Sequence, residues 1–391
     1  MNRKALIYFT QFNAALGGSE YLPLTLAADL QEKFDVTLAL NWKSDVARAA
    51  ETMHIPVDMS RLKVEYVKPK RKFLQRLDAI LPFYRTWRLK DLAKDADICI
   101  STVNMFDFGK PAHHFVFMLR HFGDNAFIDR ISHAKPKTGA ALLGRKFRTF
   151  LAERILRPLL GVRSTRTILA DPRERIYPNS LYVEKVMRDF YGPFTSTIFY
   201  PPTICDFQEA AVDKDPLLVV YIGQIFPEKR ITEIIGIVER ARELSGCDIR
   251  LDVAGPLSQT PYVKTVKALA SEKEWVSLRG GVYGKDKATF LLSATYAIHA
   301  ERDEAFGISV TEYLKAGLIP IVPDEGGTPE IVDSPALTYH TNEDAAQILA
   351  HLIADADFRE RERAHSAERG RFFSRDAYAE RQRKLLKEIA Q

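Results

Sequence analysis

Residues 299–312 read His299-Ala-Glu-Arg-Asp-Glu-Ala-Phe-Gly-Ile-Ser-Val-Thr-Glu312, with seven residues between the carboxylates of Glu304 and Glu312. An apolar run over 295–298 precedes them, and an amphipathic run ending at 316–317 follows. This pattern predicts a strand, a polar loop and a helix, with Glu304 at the helix N-terminus and Glu312 about two turns further along the same face. Amides at the predicted helix start suit an anionic ligand; they belong to Phe306, Gly307 and Ile308. On spacing alone, an α/β crossover with solvated acids is an equally good interpretation.

The first strand-to-helix loop contains a pair of glycines. Residues 4–9 are typical of a buried parallel strand, Gly17 and Gly18 follow in a loop, and a helix is predicted over 19–33 with Ser19 as its N-cap. A second strand then completes a βαβ unit. Glycines in such a loop let a phosphate or sugar approach the backbone closely, although a Gly-Gly pair is more often just a turn.

A basic loop follows the first strand of the second half. A strand is predicted over 217–222, the loop covers 223–230, and a helix is predicted over 231–244. Lys229 and Arg230 precede this helix at the positive end of its dipole, where they are placed to hold a diphosphate. The alternative is a solvated turn.

Two more strands of the second half end in glycines. They are predicted over 249–253 and 275–278, and Val282 and Tyr283 follow the second of them. In doubly wound folds, nucleotides bind at this carboxyl edge of the sheet.

Histidines flank a strand predicted in the first half over 115–119. His113 and His114 are expected before the strand, and His121 just after it. The carboxyl end of such a strand is where α/β sheets place ligand groups. His121 is therefore a candidate sugar contact, with an ordinary structural histidine as the alternative.

The length of 391 residues is too great for one average core, so two domains are expected. The segment Tyr200-Pro-Pro202 is extended and proline-locked, which predicts a first domain over 1–202 and a second over 203–373. A C-terminal helix over 374–391 is expected to pack back on the first domain. Both halves restart as doubly wound α/β units, which predicts two facing Rossmann-like domains with a cleft between them.

The composition is ordinary for a soluble globular protein, with 46% hydrophobic and 27% charged residues. Three separated cysteines, Cys99, Cys205 and Cys247, argue against a disulfide framework or a cysteine zinc site and fit a reducing compartment. The N-terminal apolar run is too short for a signal peptide, and no apolar run reaches about 18 residues. We therefore expect a cytoplasmic protein without a membrane span.

The chain has a net charge of +5, but the charged residues are unevenly distributed along it. Basic residues exceed acidic ones by 12 over residues 1–200, whereas acidic residues are in excess by 7 over 201–391. The first half is therefore the candidate for contact with an anionic membrane surface or a nucleic acid. No nucleic-acid motif supports the second, and no such partner is expected.

Residues 68–94 combine cations with aromatic and aliphatic side chains, and Pro82 is predicted to divide them into two short helices. An apolar face recurs near helical spacing through Phe73, Leu77, Ile80, Tyr84 and Trp87. This composition suits a peripheral element on an anionic membrane. A face that packs on the core, with a solvated basic back, is the commoner arrangement.

Six motifs, in order along the chain, carry a resemblance to a known family. They are Gly17-Gly18-Ser19-Glu20, Tyr177-Pro-Asn-Ser180, Tyr200-Pro-Pro202, Gly223-Gln-Ile-Phe-Pro-Glu-Lys229, the Glu304/Glu312 pair, and Gly326-Gly-Thr-Pro-Glu-Ile-Val332. Each is weak alone, but the ordered set resembles retaining glycosyltransferases of family 4, which have the two-Rossmann-domain GT-B fold. Residues 299–307 and the Gly-Gln variant resemble, more weakly, α-1,2-mannosyltransferases that act on dolichol-linked oligosaccharide.

The resemblance implies roles for the acidic and basic positions. Glu304 would bind hydroxyls of the donor sugar, and Glu312 would hold the ribose hydroxyls. Lys229 would offset charge on the departing diphosphate. The family usually has Arg where this chain has Gln224, which removes one charge from the leaving-group site, and Arg230 is the candidate to compensate.

The resemblance also implies roles for the other matched positions. The amides of 306–308 would bind the donor phosphates, and Gly17 or Gly18 would let the diphosphate approach. His121 would contact the donor sugar, and Val282 and Tyr283 would lie against the base.

The expected reaction is hexose transfer, with mannose as one candidate, from a UDP- or GDP-linked sugar to a lipid-linked or other membrane-associated glycan. No cofactor beyond the nucleotide sugar and no metal is expected, since cations and helix-end amides stabilise the diphosphate and no Asp-x-Asp pair follows a strand of the first domain. Two alternatives stay open. One is a non-catalytic nucleotide-sugar-binding or scaffold protein, suggested by Gln224. The other is a nucleotide-sugar epimerase of the same fold, which should lack the glutamate pair.

Overall fold

The computed structural model describes residues 3–12, 18–68, 81–117, 151–205, 207 and 213–390. The chain divides into two compact units. The first comprises Met1–Tyr200 together with Glu380–Gln391, and the second comprises Pro201–Ala379. The fold is α/β in both units, with one parallel six-stranded sheet in each.

The first unit is built on a sheet with the strand order β3-β2-β1-β4-β5-β6. Its strands are β1 Arg3–Phe9, β2 Phe34–Leu40, β3 Lys63–Tyr66, β4 Ile98–Ser101, β5 His113–Val116 and β6 Arg175–Pro178. Residues 5–9 of β1 are all buried, as expected for a central parallel strand covered on both faces.

The described helices of the first unit connect these strands. They are Gly18–Leu30, Val46–Thr52, Leu81–Ala93, a π-helix Leu151–Leu156, Arg157–Leu159, Thr165–Leu169 and Leu181–Tyr191. Ser19 is not an N-cap, because the first helix already includes Gly18; the Ser19 hydroxyl instead donates to Glu20 at 2.7 Å. Pro82 is the second residue of the described helix Leu81–Ala93, and the helix predicted before it lies outside the described residues.

The prediction that His113 and His114 precede their strand is wrong, since both belong to β5. They fit inside a sheet because each has a polar partner. His114 Nε2 lies 2.9 Å from a Glu174 carboxylate oxygen, and His113 Nδ1 lies 3.0 Å from the Tyr177 hydroxyl. Tyr177 lies in the neighbouring strand β6.

Only part of the basic aromatic segment 68–94 lies within the described residues. In the helix Leu81–Ala93, Phe83 and Leu89 are buried, and Leu89 packs in the core with Tyr8. Trp87 is 58% exposed. The described part of this helix therefore packs on the core through Phe83 and Leu89, and Trp87 is not on that face.

The second unit repeats the design with the strand order β12-β11-β10-β7-β8-β9, all parallel. Its strands are β7 Asp215–Ile222, β8 Arg250–Ala254, β9 Val276–Gly280, β10 Ala294–Ile298, β11 Ile319–Pro323 and β12 Thr338–Tyr339. The core strand β11 is buried at every residue.

Helices cover this second sheet. They are Ile231–Ser245, Pro261–Ser271, Gly284–Leu292, Ile308–Lys315, Thr328–Val332, Asn342–Ala354 and Ala356–Phe372, with 3₁₀ turns at Pro227–Lys229 and Pro335–Leu337. The helix Ile231–Ser245 buries its apolar residues at helical spacing, including Ile231, Ile234 and Val238.

The C-terminal helix is Arg375–Ile389, and from Glu380 onward it belongs to the first unit. There the Gln382 amide donates to Asp29 at 2.6 Å and accepts from the Thr25 hydroxyl at 2.9 Å. In the described part of the chain, no helix is both long and apolar enough to cross a membrane.

Candidate active site

The loop between β10 and the helix Ile308–Lys315 positions the first candidate glutamate. Gly307 precedes the helix with a φ of 108°, a left-handed conformation that glycine adopts readily. The helix therefore begins four residues after Glu304. The predicted placement of Glu304 at the helix N-terminus is wrong: Glu304 lies in the loop, because the Gly307 turn delays the helix by a turn.

Gly326 and Gly327, in the loop that follows β11, pack against the backbone of the loop that contains Glu304. The Gly327 N–H donates to the Glu304 carbonyl at 2.8 Å. A Cβ at Gly326 would lie 2.7 Å from the Arg302 carbonyl oxygen, and a Cβ at Gly327 would lie 2.5 Å from that of Ala305. The close approach of two backbones explains why the motif needs glycine at both positions.

Lys229 and Glu304 meet in the second unit. The Lys229 ammonium lies 2.5 Å from Glu304 Oε2 and also contacts the Glu301 carboxylate. The Glu301 and Glu304 side chains are 10% and 21% exposed. One cation is thus held between two carboxylates in a largely desolvated place.

The electrostatics of this cluster separate the two acids. Burial first, and then the negative charge of Glu304, raise the pKa of Glu301. Burial alone would raise the pKa of Glu304 too, but the Lys229 and His299 charges and hydrogen bonds outweigh it and lower that pKa. Burial alone would lower the pKa of Lys229, but the charges and hydrogen bonds of Glu304 and Glu301 outweigh it and raise that pKa.

His299 lies behind the cluster and is fully buried. Its Nε2 is 3.7 Å from Glu304 Oε2. Burial first, and then the Lys229 charge, lower the pKa of His299 to about 4, so this ring is neutral near pH 7. His299, Glu301 and Glu304 offer ligand-type atoms within 4.8 Å of one another, but the Lys229 ammonium already contacts both carboxylates there.

Glu312 has a separate partner. It lies in the helix Ile308–Lys315, its side chain is 4% exposed, and its Oε1 accepts from the Lys287 ammonium at 2.5 Å. Burial raises the pKa of Glu312, and Lys287 opposes that rise. The two glutamates of the motif therefore belong to two ion pairs.

Arg230 turns away from the Lys229 cluster. It adopts a φ of 52° at the start of Ile231–Ser245, and its guanidinium pairs with Glu233 at 3.2 Å. Gln224, in the same loop, is exposed, and its backbone carbonyl accepts a hydrogen bond from the Tyr221 hydroxyl at 3.1 Å. The structure thus places Lys229, and not Arg230, beside Glu304.

The candidate base contacts lie where a helix begins. Tyr283 precedes the helix Gly284–Leu292 and is 66% exposed, and Val282 beside it is half-buried. A Cβ at Gly281 would lie 2.9 Å from the Tyr283 hydroxyl, so the ring lies over this glycine. The same helix contains Lys287, whose ammonium forms the ion pair with Glu312.

The candidates of the first unit are less fully described. Gly18 is the first residue of a 13-residue helix and is buried. Gly17 and His121 lie outside the described residues. Phe306 and Gly307 directly precede the eight-residue helix Ile308–Lys315, and Ile308 is its first residue. The first N–H groups of a helix lack partners within the helix.

Three residues of the site have no role in the sequence-based interpretation: His299, Glu301 and Lys287. His299 and Glu301 are part of the quoted stretch, but nothing in their spacing distinguishes them from a solvated loop. Lys287 is 25 residues from Glu312, and only the pairing of helix and sheet brings them together.

Comparisons with known proteins identify similar chains. A family model described as Glycosyl transferases group 1 matches residues 205–371. A GDP-Man:Man(3)GlcNAc(2)-PP-Dol alpha-1,2-mannosyltransferase of Candida glabrata is 28% identical over 166 residues, covering 38% of this chain and 32% of that protein. A protein of the same description from Caenorhabditis elegans is 26% identical over 168 residues, covering 38% of this chain and 35% of that protein. The matched part of the chain therefore spans about a third of the length of each curated relative.

The whole fold also has solved counterparts. The crystal structure of HepE of Anabaena, in complex with UDP and glucose, aligns with a TM-score of 0.65 at 14% identity, covering 99% of this chain and 100% of the other. At this identity the likeness shows the fold. The chain therefore has the two-domain GT-B fold, and its residues 205–371 form a domain of the Glycosyl transferases group 1 type.

Proposed function

We propose that this protein transfers a hexose from a UDP- or GDP-linked sugar to a lipid-linked or other membrane-associated glycan, with retention of configuration and without a metal ion. The observation that carries the proposal is the Lys229 ammonium held beside Glu304, next to the start of the helix Ile308–Lys315. Leaving-group charge in such a transfer develops on the diphosphate.

A cation and helix-end amides suit that charge. In a site with little water, a preorganised ammonium stabilises a developing anion more strongly than it would in solvent. Lys229 is poised to offset the diphosphate, and the amides of 306–308 to bind its oxygens. Metal independence is proposed because these groups supply the positive charge, and retention is proposed from the family resemblance.

The carboxylates fit recognition of hydroxyl groups. With its pKa lowered by Lys229 and His299, Glu304 is an ionised acceptor for hydroxyls of the donor sugar. Glu312 is held by Lys287 and is proposed to bind the ribose. In this mechanism neither glutamate acts as an acid/base couple; they orient the donor while the charge on the diphosphate is offset by Lys229.

The acceptor class is proposed from two observations. The relatives of Candida glabrata and Caenorhabditis elegans are described as acting on a dolichol-linked oligosaccharide. The first 200 residues carry the basic excess that an anionic membrane surface attracts. On this support we propose a cytoplasmic protein that binds peripherally to the membrane, with mannose as the first sugar to test.

A donor panel tests the proposal. Thermal shift with UDP- and GDP-hexoses identifies the base, and transfer or hydrolysis of the stabilising donor in the presence of EDTA tests activity without metal. The proposal expects one donor class both to stabilise and to turn over. Stabilisation with neither transfer nor hydrolysis would instead support a nucleotide-sugar-binding scaffold, to which Gln224 points, and interconversion of the donor sugar would support an epimerase.

Flotation with vesicles tests the location. Binding is expected to rise with the fraction of anionic lipid and to fall with added salt. Flotation that ignores lipid charge would remove the support that the basic half gives to a membrane acceptor.

A further inference from the structure

An exposed tryptophan lies at the carboxyl edge of the first sheet. Trp42 follows β2 in the loop that leads to the helix Val46–Thr52, and it is 46% exposed. In α/β folds, ligands bind outside the carboxyl ends of the strands. Lys229, Glu304 and Glu312, which the proposed function assigns to the donor, lie in the second unit. Trp42 is therefore at a ligand-binding edge that this donor site does not use.

The loop that contains Trp42 is anchored on both sides of the ring. Before it, the N–H of the buried Asn41 donates to the Thr10 carbonyl at 2.8 Å. After it, the Ser44 hydroxyl accepts from the Phe12 N–H at 3.1 Å and donates to the Trp42 carbonyl at 3.1 Å. These bonds fix the backbone that presents the exposed ring, so little conformational entropy is lost when a ligand binds it.

Polar groups surround the exposed ring. The Lys68 ammonium lies over the Trp42 ring, where the negative face of an indole attracts a cation. Lys43, the next residue along the chain, is exposed. Tyr66, at the end of the neighbouring strand β3, is 40% exposed and ends in a hydroxyl. The indole itself offers one N–H donor. The site thus combines an aromatic surface with several hydrogen-bonding groups.

This combination fits a sugar ring better than a membrane or an apolar protein surface. A pyranose has a face of C–H groups, which packs on the negative face of an indole, and a rim of hydroxyls, which need hydrogen-bond partners. The indole N–H, the Lys43 ammonium and the Tyr66 hydroxyl are such partners. A membrane surface favours several exposed aliphatic side chains together, and those of the first unit's described part lie over residues 155–160.

We propose that Trp42 stacks on a sugar ring of the glycan acceptor and contributes to the choice of acceptor. Because an axial hydroxyl on the stacked face would separate the two rings, Trp42 discriminates between epimers of a hexose. The inference rests on the proposed function, since it assumes that the second substrate is a glycan. It adds to that function a sugar-binding residue in the first unit.

Nuclear magnetic resonance of the indole N–H groups tests the contact directly. The chain has three tryptophans, Trp42, Trp87 and Trp275, and each signal is assigned by replacing that residue with phenylalanine. The probes are the methyl α-pyranosides of mannose, glucose, galactose and N-acetylglucosamine, without nucleotide or lipid. The Trp42 signal is expected to shift saturably with at least one of them and to distinguish between epimers, while the other two signals stay in place.

Two results of this titration would overturn the inference. One is a Trp42 signal that moves with none of the four glycosides. The other is a signal that moves only with vesicles of anionic lipid, which would assign Trp42 to membrane contact instead. Neither result depends on turnover, so the proposed function is not tested by them.

Transfer kinetics measure what the contact contributes. With the glycoside that shifts the signal as acceptor, Trp42→Ala is expected to raise the acceptor KM by about tenfold. The donor KM and the rate of donor hydrolysis without acceptor should not change. Trp42→Phe keeps an aromatic ring and should recover part of the loss. Trp87→Ala, which changes another exposed tryptophan of the first unit, should behave as wild type.

The kinetic outcomes separate the two proposals. Equal acceptor KM values in wild type and Trp42→Ala, both active, would overturn the inference and leave the proposed function intact. Folded wild type that binds a glycoside through Trp42 but neither transfers nor hydrolyses any nucleotide sugar would overturn the proposed function and support the sugar contact alone.

Discussion

The Lys229 ammonium and the Glu304 carboxylate lie 2.5 Å apart although 75 residues separate them in the chain. The 3₁₀ turn after β7 presents the lysine, and the loop after β10 presents the glutamate. Since β7 and β10 are neighbouring parallel strands, their carboxyl ends meet at one edge of the sheet. The contact thus follows from the strand order, and it joins the two motifs on which the proposed chemistry depends.

Gly327→Ala tests whether the Gly-Gly loop shapes the donor site. The new Cβ would lie 2.5 Å from the Ala305 carbonyl oxygen, so the Glu304 loop has to move. We expect donor affinity to fall at least tenfold, which corresponds to about 1.4 kcal/mol, as measured by nucleotide-sugar titration. Gly236→Ala is the matched control: it lies in the helix Ile231–Ser245 with nothing within 4 Å and should stabilise the protein by about 0.5–1 kcal/mol. Unchanged donor affinity in Gly327→Ala would contradict this role.

Lys287→Met tests the second ion pair. It leaves the buried Glu312 carboxylate without its cation, which typically destabilises a protein by about 3–5 kcal/mol. Denaturant unfolding should show this loss and should show most of it recovered in Lys287→Met/Glu312→Leu, which removes both charges. The double variant should still have a raised KM for the donor, because the proposed ribose contact is gone. A normal KM in the double variant would show that Glu312 does not bind the donor.

Buried His299 predicts a loss of stability in acid. Its pKa is about 4 in the folded protein and about 6.5 when unfolded, so the unfolded chain binds the proton more readily between these values. The contribution of neutral His299 to the free energy of unfolding is therefore fully present above about pH 6.5. It decreases as the pH drops towards 4, by up to about 3 kcal/mol. Unfolding of His299→Asn should depend less on pH over that window. His340→Asn, which changes an 80% exposed side chain, should behave as wild type, and equal slopes in all three proteins would refute the prediction.

Gln224→Arg tests the departure from the family pattern. Gln224 is exposed in the loop that carries Lys229, so an arginine there fits without displacing the core. If the missing charge limits stabilisation of the leaving group, kcat should rise, by up to about tenfold for one added charge-assisted hydrogen bond. Gln224→Met controls for side-chain length and should leave kcat near or below that of wild type. A slower Gln224→Arg enzyme would mean that this loop does not face the diphosphate.

The strands were the most predictable part of the fold. The apolar runs that predict β1, β2, β7, β8 and β10 match the structure closely because buried parallel strands have continuous apolar sequences. Polar strand residues were not predictable: His114 enters β5 only because Glu174, 60 residues away, satisfies its ring. Pairing of this kind depends on tertiary contacts, which local patterns do not contain.

The candidate site was likewise predictable only in part. Motif order predicts that Lys229, Glu304 and Glu312 lie in one domain with their loops at one sheet edge. The prediction that Glu304 lies at the start of the helix is wrong, because the sequence does not reveal that Gly307 adopts a left-handed conformation and delays the helix to Ile308. Motif order gives no role to Glu301 and Lys287, whose importance arises from burial beside an opposite charge.

The central claim is that Lys229 stabilises the departing diphosphate during sugar transfer. The most direct measurement is kcat for hexose transfer, from the donor that thermal shift selects, by wild type and Lys229→Ala at saturating donor with EDTA present, with circular dichroism confirming that both are folded. We predict that Lys229→Ala loses about 10²–10³ in kcat, as expected when one preorganised donor to a developing anion is removed. Near-full turnover by a folded Lys229→Ala protein would contradict the mechanism.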